Sequence, residues 1–199
     1  FLYESTRDRT PLGHAHREHI RDLSVDQVRE MYRQAVTRLL NEVAETEQFF
    51  RAGIVAIDIT EADPFTGDRT GHEHEIIGTK EKTDEYAYQW ATVQLVGNAV
   101  PIVLVARPVR KGETRLKIVE DLLDSAEELV HVDNVLMDRE FDSQHVLEML
   151  SQRGVSYVVP KRMQTSEKAQ AKRLLRRDQD RYETDRKLHL GKNEWHETT

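Results

Sequence analysis

The sequence predicts an α/β (α+β) fold built on a mixed sheet, and three observations carry that expectation. The apolar residues cluster between positions 50 and 160 of the 199. Within that stretch, short runs of β-branched and apolar residues recur at 54–59, 86–96, 99–107, 132–137 and 155–159, bounded by turn-forming residues. The last two runs are preceded by segments with helical spacing, so strands come first as a group and then alternate with helices, the pattern of a sheet with both antiparallel and parallel pairs.

The elements follow in order. Residues 1–22 are polar, rich in Arg and His, and show no clear period. Ser24 followed by Gln27 reads as a capping box. From there Val25, Val28, Met31, Tyr32, Ala35, Val36, Leu39, Leu40 and Val43 mark the buried stripe of a helix to about Glu47. The period changes after Arg51. Residues 54–59 read as a strand, and Asp63-Pro64-Phe65-Thr66-Gly67-Asp68 as turn chemistry leading into a polar stretch to about Asp84. Residues 86–96 and 99–107 form a hairpin around Gly97-Asn98. Residues 114–129 are helical, with Leu116, Val119, Leu122, Leu123, Ala126 and Leu129 turned inward. After the strand 132–137, Asp142 or Ser143 caps a helix that stops at Arg153-Gly154. Strand 155–159 ends at Pro160, a basic helix runs to about Arg177, and a further strand begins after Lys187. Three segments result: a helical segment 1–50, a core 51–160, and a basic helix with the start of an inserted or C-terminal subdomain at 161–199.

Three antiparallel strands followed by two helical crossovers make a ribonuclease-H-like core of five strands, preceded by an N-terminal helix. In that arrangement the first and fourth strands are parallel neighbours. Asp58 and Asp138 fall near the same ends of those two strands. Two carboxylates held side by side repel each other unless a cation lies between them, so the pair points to a divalent metal and to phosphate chemistry. The competing reading is that each Asp caps a following turn or helix, and for Asp138 taken alone it stands equal.

Several stretches resemble the DDE transposases of insertion sequences, particularly those of halophilic archaea. They are Val55-Ala56-Ile57-Asp58-Ile59-Thr60, Pro64-Phe65-Thr66-Gly67-Asp68-Arg69, Tyr88-Gln89-Trp90-Ala91 and Val135-Leu136-Met137-Asp138-Arg139-Glu140-Phe141. The resemblance implies metal-dependent hydrolysis and strand transfer of DNA phosphodiesters in DNA transposition. Asp58 and Asp138 would be the first two acids of the catalytic triad and ligands of Mg²⁺ or Mn²⁺. Lys161 and Arg162, directly after the fifth strand, would contact phosphate. DNA would be the partner, and the complete protein a homo-oligomer. The third acid of the family lies on a later helix; Glu183 and Glu194 lack its flanking pattern, so it is expected beyond Thr199.

The composition narrows the field. There is no Cys, which excludes disulfides and thiolate metal sites. No apolar run approaches a membrane span and no signal peptide is visible, so the expected partner is not a membrane and the expected compartment is the cytoplasm. The net charge of −7 argues against nucleic acid taken alone, but residues 161–187 carry ten basic against five acidic side chains. Lys172, Arg173 and Arg176 in that segment are the candidate DNA contacts; the competing reading is an exposed helix of paired charges. Arg outnumbers Lys by 20 to 9, a balance suited to a high-salt cytoplasm.

Other motifs carry less. His72-Glu73-His74-Glu75 puts two imidazoles on one face if extended, without a third ligand. Asp133 reads as surface, Asp142 as a cap, and Tyr88 and Trp90 as sheet packing. A Mg²⁺-dependent phosphohydrolase of the haloacid-dehalogenase type would have a second Asp at position 60, which is Thr. The remaining alternative is a catalytically dead, nucleic-acid-binding remnant.

Overall fold

The computed structural model describes residues 13–44, 53–79, 85–97, 100–161, 163–176, 187–191 and 194–197. The chain divides into two compact units, Phe1–Glu45 and Thr46–Thr199. The first holds α1 (Gly13–Arg21) and α2 (Val25–Ala44). The expected capping box forms: Ser24 N–H donates to Gln27 Oε1 at 2.8 Å, and Gln27 N–H to Ser24 Oγ at 3.2 Å. On α2, Val36 and Leu40 are buried, whereas Val28, Met31, Tyr32 and Leu39 stay exposed. Helix α1 was not anticipated. Its one large apolar side chain is Ile20, so it leaves no apolar period to detect.

The second unit is a mixed α/β structure around a six-stranded sheet. Its strands are β1 (Ile54–Glu61), β2 (Ile76–Gly78), β3 (Tyr86–Leu95), β4 (Ile102–Pro108), β5 (Asn134–Met137) and β6 (Ser156–Val158). The order is β2-β3-β1-β5-β6, with β4 also paired to β3. β3 is long enough to carry both β2, along 86–88, and β4, along 90–95. The first pairs are antiparallel; β1–β5 and β5–β6 are parallel. β2 adds a sixth strand where the sequence suggested only a polar stretch. Three residues are too few to show alternation, and pairing with the edge of β3 creates the strand.

Helices α3 (Arg115–Glu127) and α4 (Gln144–Arg153) make the two crossovers. Thr114 caps α3 by accepting from Lys117 N–H. Ser143, rather than Asp142, caps α4 by accepting from Val146 N–H. α4 stops at Gly154, whose φ of 71° is the left-handed conformation that glycine adopts without a Cβ clash. α3 packs on β3 and β4, and α4 on α3 and β6. Arg153 ties the helices together, donating to Asp124 Oδ1 at 2.6 Å and Glu127 Oε2 at 3.2 Å.

Alternate residues on the strands meet these helices. Val55, Ile57 and Ile59 pair across the sheet with Leu95, Val93 and Ala91, all buried, and Val135, Met137, Ile118, Leu122, Leu123 and Leu150 complete the core. The opposite face of the same strands carries Ala56, Asp58 and Thr60 on β1 and Trp90, Thr92 and Gln94 on β3, all more accessible than their neighbours. α5 (Thr165–Leu175) and the hairpin β7 (Lys187–Gly191) with β8 (Glu194–Glu197) follow. None of the described helices is long and apolar enough to cross a membrane.

Candidate functional site

One glycine sets the register of the central parallel pair. Gly53 C=O accepts from Asp133 N–H at 2.8 Å and Asn134 N–H at 3.1 Å, and Gly53 N–H donates to Asp133 Oδ2 at 3.2 Å. The chains approach so closely that a Cβ at position 53 would lie 1.7 Å from His131 O. From this anchor the register runs Ile54↔Asn134 to Ile57↔Met137. Asp58 and Asp138 are the next residue on each strand. Asp138 keeps an extended backbone, with φ −78° and ψ 175°, so the alternation of β5 carries through it. Both aspartates therefore fall on the sheet face that carries Ala56 and Leu136, opposite the helices, and both are exposed. Neighbouring strands lie about 4.8 Å apart, a spacing at which two carboxylates can share a cation.

Each carboxylate is partly committed. Asp138 Oδ1 accepts from Glu140 N–H at 2.8 Å, capping a 3-10 turn over Arg139–Phe141. Asp58 Oδ2 accepts from Thr60 Oγ1 at 3.3 Å. The Asp that a haloacid-dehalogenase site would need at position 60 is thus replaced by a hydroxyl turned onto Asp58. The cap reading of Asp138 is correct, and it engages Oδ1 alone among the described residues. Directly across the sheet from Asp58 stands Thr92, whose buried Oγ1 has no hydrogen-bond partner among the described residues. A buried hydroxyl without a partner, across the sheet from a carboxylate, suits an ordered water as its hydrogen-bond partner.

The turn bearing Asp138 is braced from several sides. Phe141 is wholly buried beneath it. Arg115, in the first turn of α3, donates to Glu140 Oε2 at 2.8 Å. Lys161 Nζ, beyond β6, lies 3.7 Å from Asp142 Oδ2, with side-chain exposures of 14% and 5%. The structure thus places Lys161 in a largely buried ion pair with the turn that follows Asp138. Asp142, expected only as a cap, is its partner.

The other residues singled out in the sequence are scattered. Lys172, Arg173 and Arg176 are exposed on and just after α5, and Arg162 lies outside the described residues. Glu183 also lies outside them; Glu194 is on β8. Among the described residues no group of three or more His, Asp or Glu side chains could hold a metal. His72 and Glu75 sit in a turn, where Ile76 N–H and Glu75 N–H both donate to His72 C=O, so the extended arrangement of His72 and His74 does not arise. Asp133, read as surface, ties Gly53 and lies 3.2 Å from His131 Nε2. Tyr88 is packed edge-on by Phe65, with ring centroids 6.1 Å apart, but Trp90 is 44% exposed and is not a buried packing residue. Thr92 and the exposure of Trp90 had no signal in the sequence, because both depend on which strand lies alongside.

No protein-family model and no curated protein matches this chain. Among solved structures, it is similar to a piggyBac transposase in a synaptic complex with hairpin DNA, at 10% identity and a TM-score of 0.38 over 83% of this chain and 35% of that one. It is also similar to the Drosophila P element transposase in a strand transfer complex, at 9% identity and a TM-score of 0.30 over 71% of this chain and 32% of that one. The chain spans about a third of the length of these two transposases.

Proposed function

We propose that the second unit is a ribonuclease-H-like catalytic core of a DNA transposase, of the insertion-sequence DDE type that the motifs around Asp58 and Asp138 resemble. The observation that carries this reading is the parallel register of β1 and β5, which sets Asp58 and Asp138 side by side on one accessible face. The donor set is all oxygen, which suits Mg²⁺ or Mn²⁺. Asp58 and Asp138 would hold the ion, Thr60 and Thr92 would orient Asp58 and its water, and the Arg115–Glu140 and Lys161–Asp142 pairs would keep the Asp138 turn in place. A bound divalent ion supplies charge stabilisation for the attacking and leaving oxygens of a phosphodiester. The exposed Lys172, Arg173 and Arg176 would bind DNA phosphates, and the whole transposase would act as an oligomer.

The test is nicking of supercoiled plasmid in Mn²⁺. The reading expects nicking that Asp58→Asn and Asp138→Asn each abolish while the fold persists. DNA binding without nicking points instead to a nucleic-acid-binding remnant. Release of phosphate from a small ester, with plasmid left intact, points to a phosphohydrolase.

A further inference from the structure

We propose that Trp90 is a stacking platform for a nucleobase of single-stranded DNA, next to the phosphate that the Asp58–Asp138 pair would face; the position relative to that phosphate rests on the function proposed above. β3 presents four side chains in succession on the face opposite the helices: Tyr86, Tyr88, Trp90 and Thr92. The segment between β1 and β2 covers the first two. Arg69 lies over the Tyr86 ring, 3.2 Å from its centroid, and Phe65 meets Tyr88 edge-on. Thr92 is directly opposite Asp58. Trp90 therefore stands between a covered aromatic pair and the carboxylates, and it alone of the three rings keeps 44% exposure.

Its flanks are narrow. Thr60 faces it from β1 and Pro108 from β4, neither large enough to cover an indole. Asp58 and Trp90 are diagonal neighbours across an unbroken antiparallel register, a separation of about 7–8 Å that long aromatic side chains bridge. That is the span of one nucleotide: a phosphate over the carboxylates leaves an adjoining base over the indole. Tryptophan is the largest π surface available, and stacking on it tolerates any base. Two carboxylates beside it repel an anionic strand, so a divalent ion that neutralises them would strengthen binding to the platform.

The experiment uses the full chain in Mn²⁺ and a short fluorescein-labelled oligothymidylate, against an oligonucleotide of equal length with abasic sites. Trp90→Ala is expected to weaken oligothymidylate binding roughly five- to a hundredfold, the range of single-base stacking, while Trp90→Phe restores most of it. Abasic DNA is expected to bind wild type and Trp90→Ala equally. In a Trp195→Phe background, where Trp90 is the sole indole, oligothymidylate should quench fluorescence and abasic DNA should not. Equal binding of oligothymidylate by wild type and Trp90→Ala overturns the proposal, as does no binding by wild type or an equal loss for abasic DNA. Mn²⁺ titration of Asp58→Asn tests the metal reading separately: unchanged Mn²⁺ affinity defeats that reading and leaves the Trp90 comparison to stand on its own affinities.

Discussion

Replacing Gly53 by Ala should unlock the central parallel pair. An alanine Cβ would sit 1.7 Å from His131 O, 2.7 Å from His131 C and 2.9 Å from Asp133 N, all backbone atoms that cannot swing aside. To reach even 3.0 Å, the start of β1 must move away from the segment before β5, and the hydrogen bonds now at 2.8 and 3.1 Å to Gly53 C=O open with it. Each such bond is worth about 0.5–1.5 kcal/mol, and forced overpacking costs about 1–3 kcal/mol. The lower chain entropy of unfolded Ala returns about 0.4–1 kcal/mol. The net loss is about 1–5 kcal/mol. With a urea m-value of about 2 kcal/mol per molar, the midpoint falls by about 0.5–2.5 M. Gly78→Ala is the control: nothing lies within 4 Å of its Cβ and its backbone is ordinary, so its midpoint should stay close to that of wild type. Mn²⁺ affinity should fall in Gly53→Ala as well, since the two aspartates lose their common register. A Gly53→Ala chain as stable as the Gly78→Ala control would refute the reasoning that this contact sets the β1–β5 pairing.

Other expectations concern single side chains. Phe141→Ala should destabilise by about 3–5 kcal/mol in urea unfolding, because the ring is fully buried under the Asp138 turn. Asp58→Asn and Asp142→Asn should separate cleanly in calorimetry: the first lowers Mn²⁺ affinity with little loss of stability, while the second weakens the Lys161 ion pair and costs about 1–2 kcal/mol, below the range for breaking a fully buried pair, because the 3.7 Å contact is long. Equal losses of Mn²⁺ affinity would defeat the assignment. Neutralising Arg173 and Arg176 together should flatten the slope of log affinity for DNA against log salt by about one contact each; an unchanged slope would mean that they track no phosphate. Hydrogen bonds from Arg33 and then Gln34 hold the Glu30 carboxyl at about 2, so its NMR shift should stay flat through pH 4. Being depressed, this group favours the folded state above the usual carboxylate range, and that contribution is lost as the pH falls toward 2.

Local signals were read well wherever an element carries its own period or cap. The Ser24–Gln27 box, a cap at Asp142 or Ser143, the Gly154 stop and the inward face of α3 all follow from neighbours within a few residues. The alternation of β1 and β3 and the apolar run of β5 likewise mark strands without reference to anything distant. Where a residue's state depends on what lies across the sheet, the sequence was silent or misleading. It showed neither polar α1 nor three-residue β2, and it read Trp90 as packed.

The candidate site divides along the same line. The sequence by itself determined that Asp58 lies within a short β-branched and apolar strand run and that Asp138 directly follows another. The order of strands and helices predicted that they are neighbours, and the tertiary structure fixed how they meet, in the parallel β1–β5 register. That depends on Gly53, whose missing side chain lets two strand beginnings, 80 residues apart in the chain at Gly53 and Asp133, meet by backbone hydrogen bonds. The tertiary structure also decided the surroundings: the Thr92 hydroxyl opposite Asp58, the Lys161–Asp142 pair behind the Asp138 turn, and the bare face of Trp90. Side-chain period reports which face of its own strand a residue occupies. It holds no information about which strand comes to lie beside it, and a site shared between strands is made of that second fact.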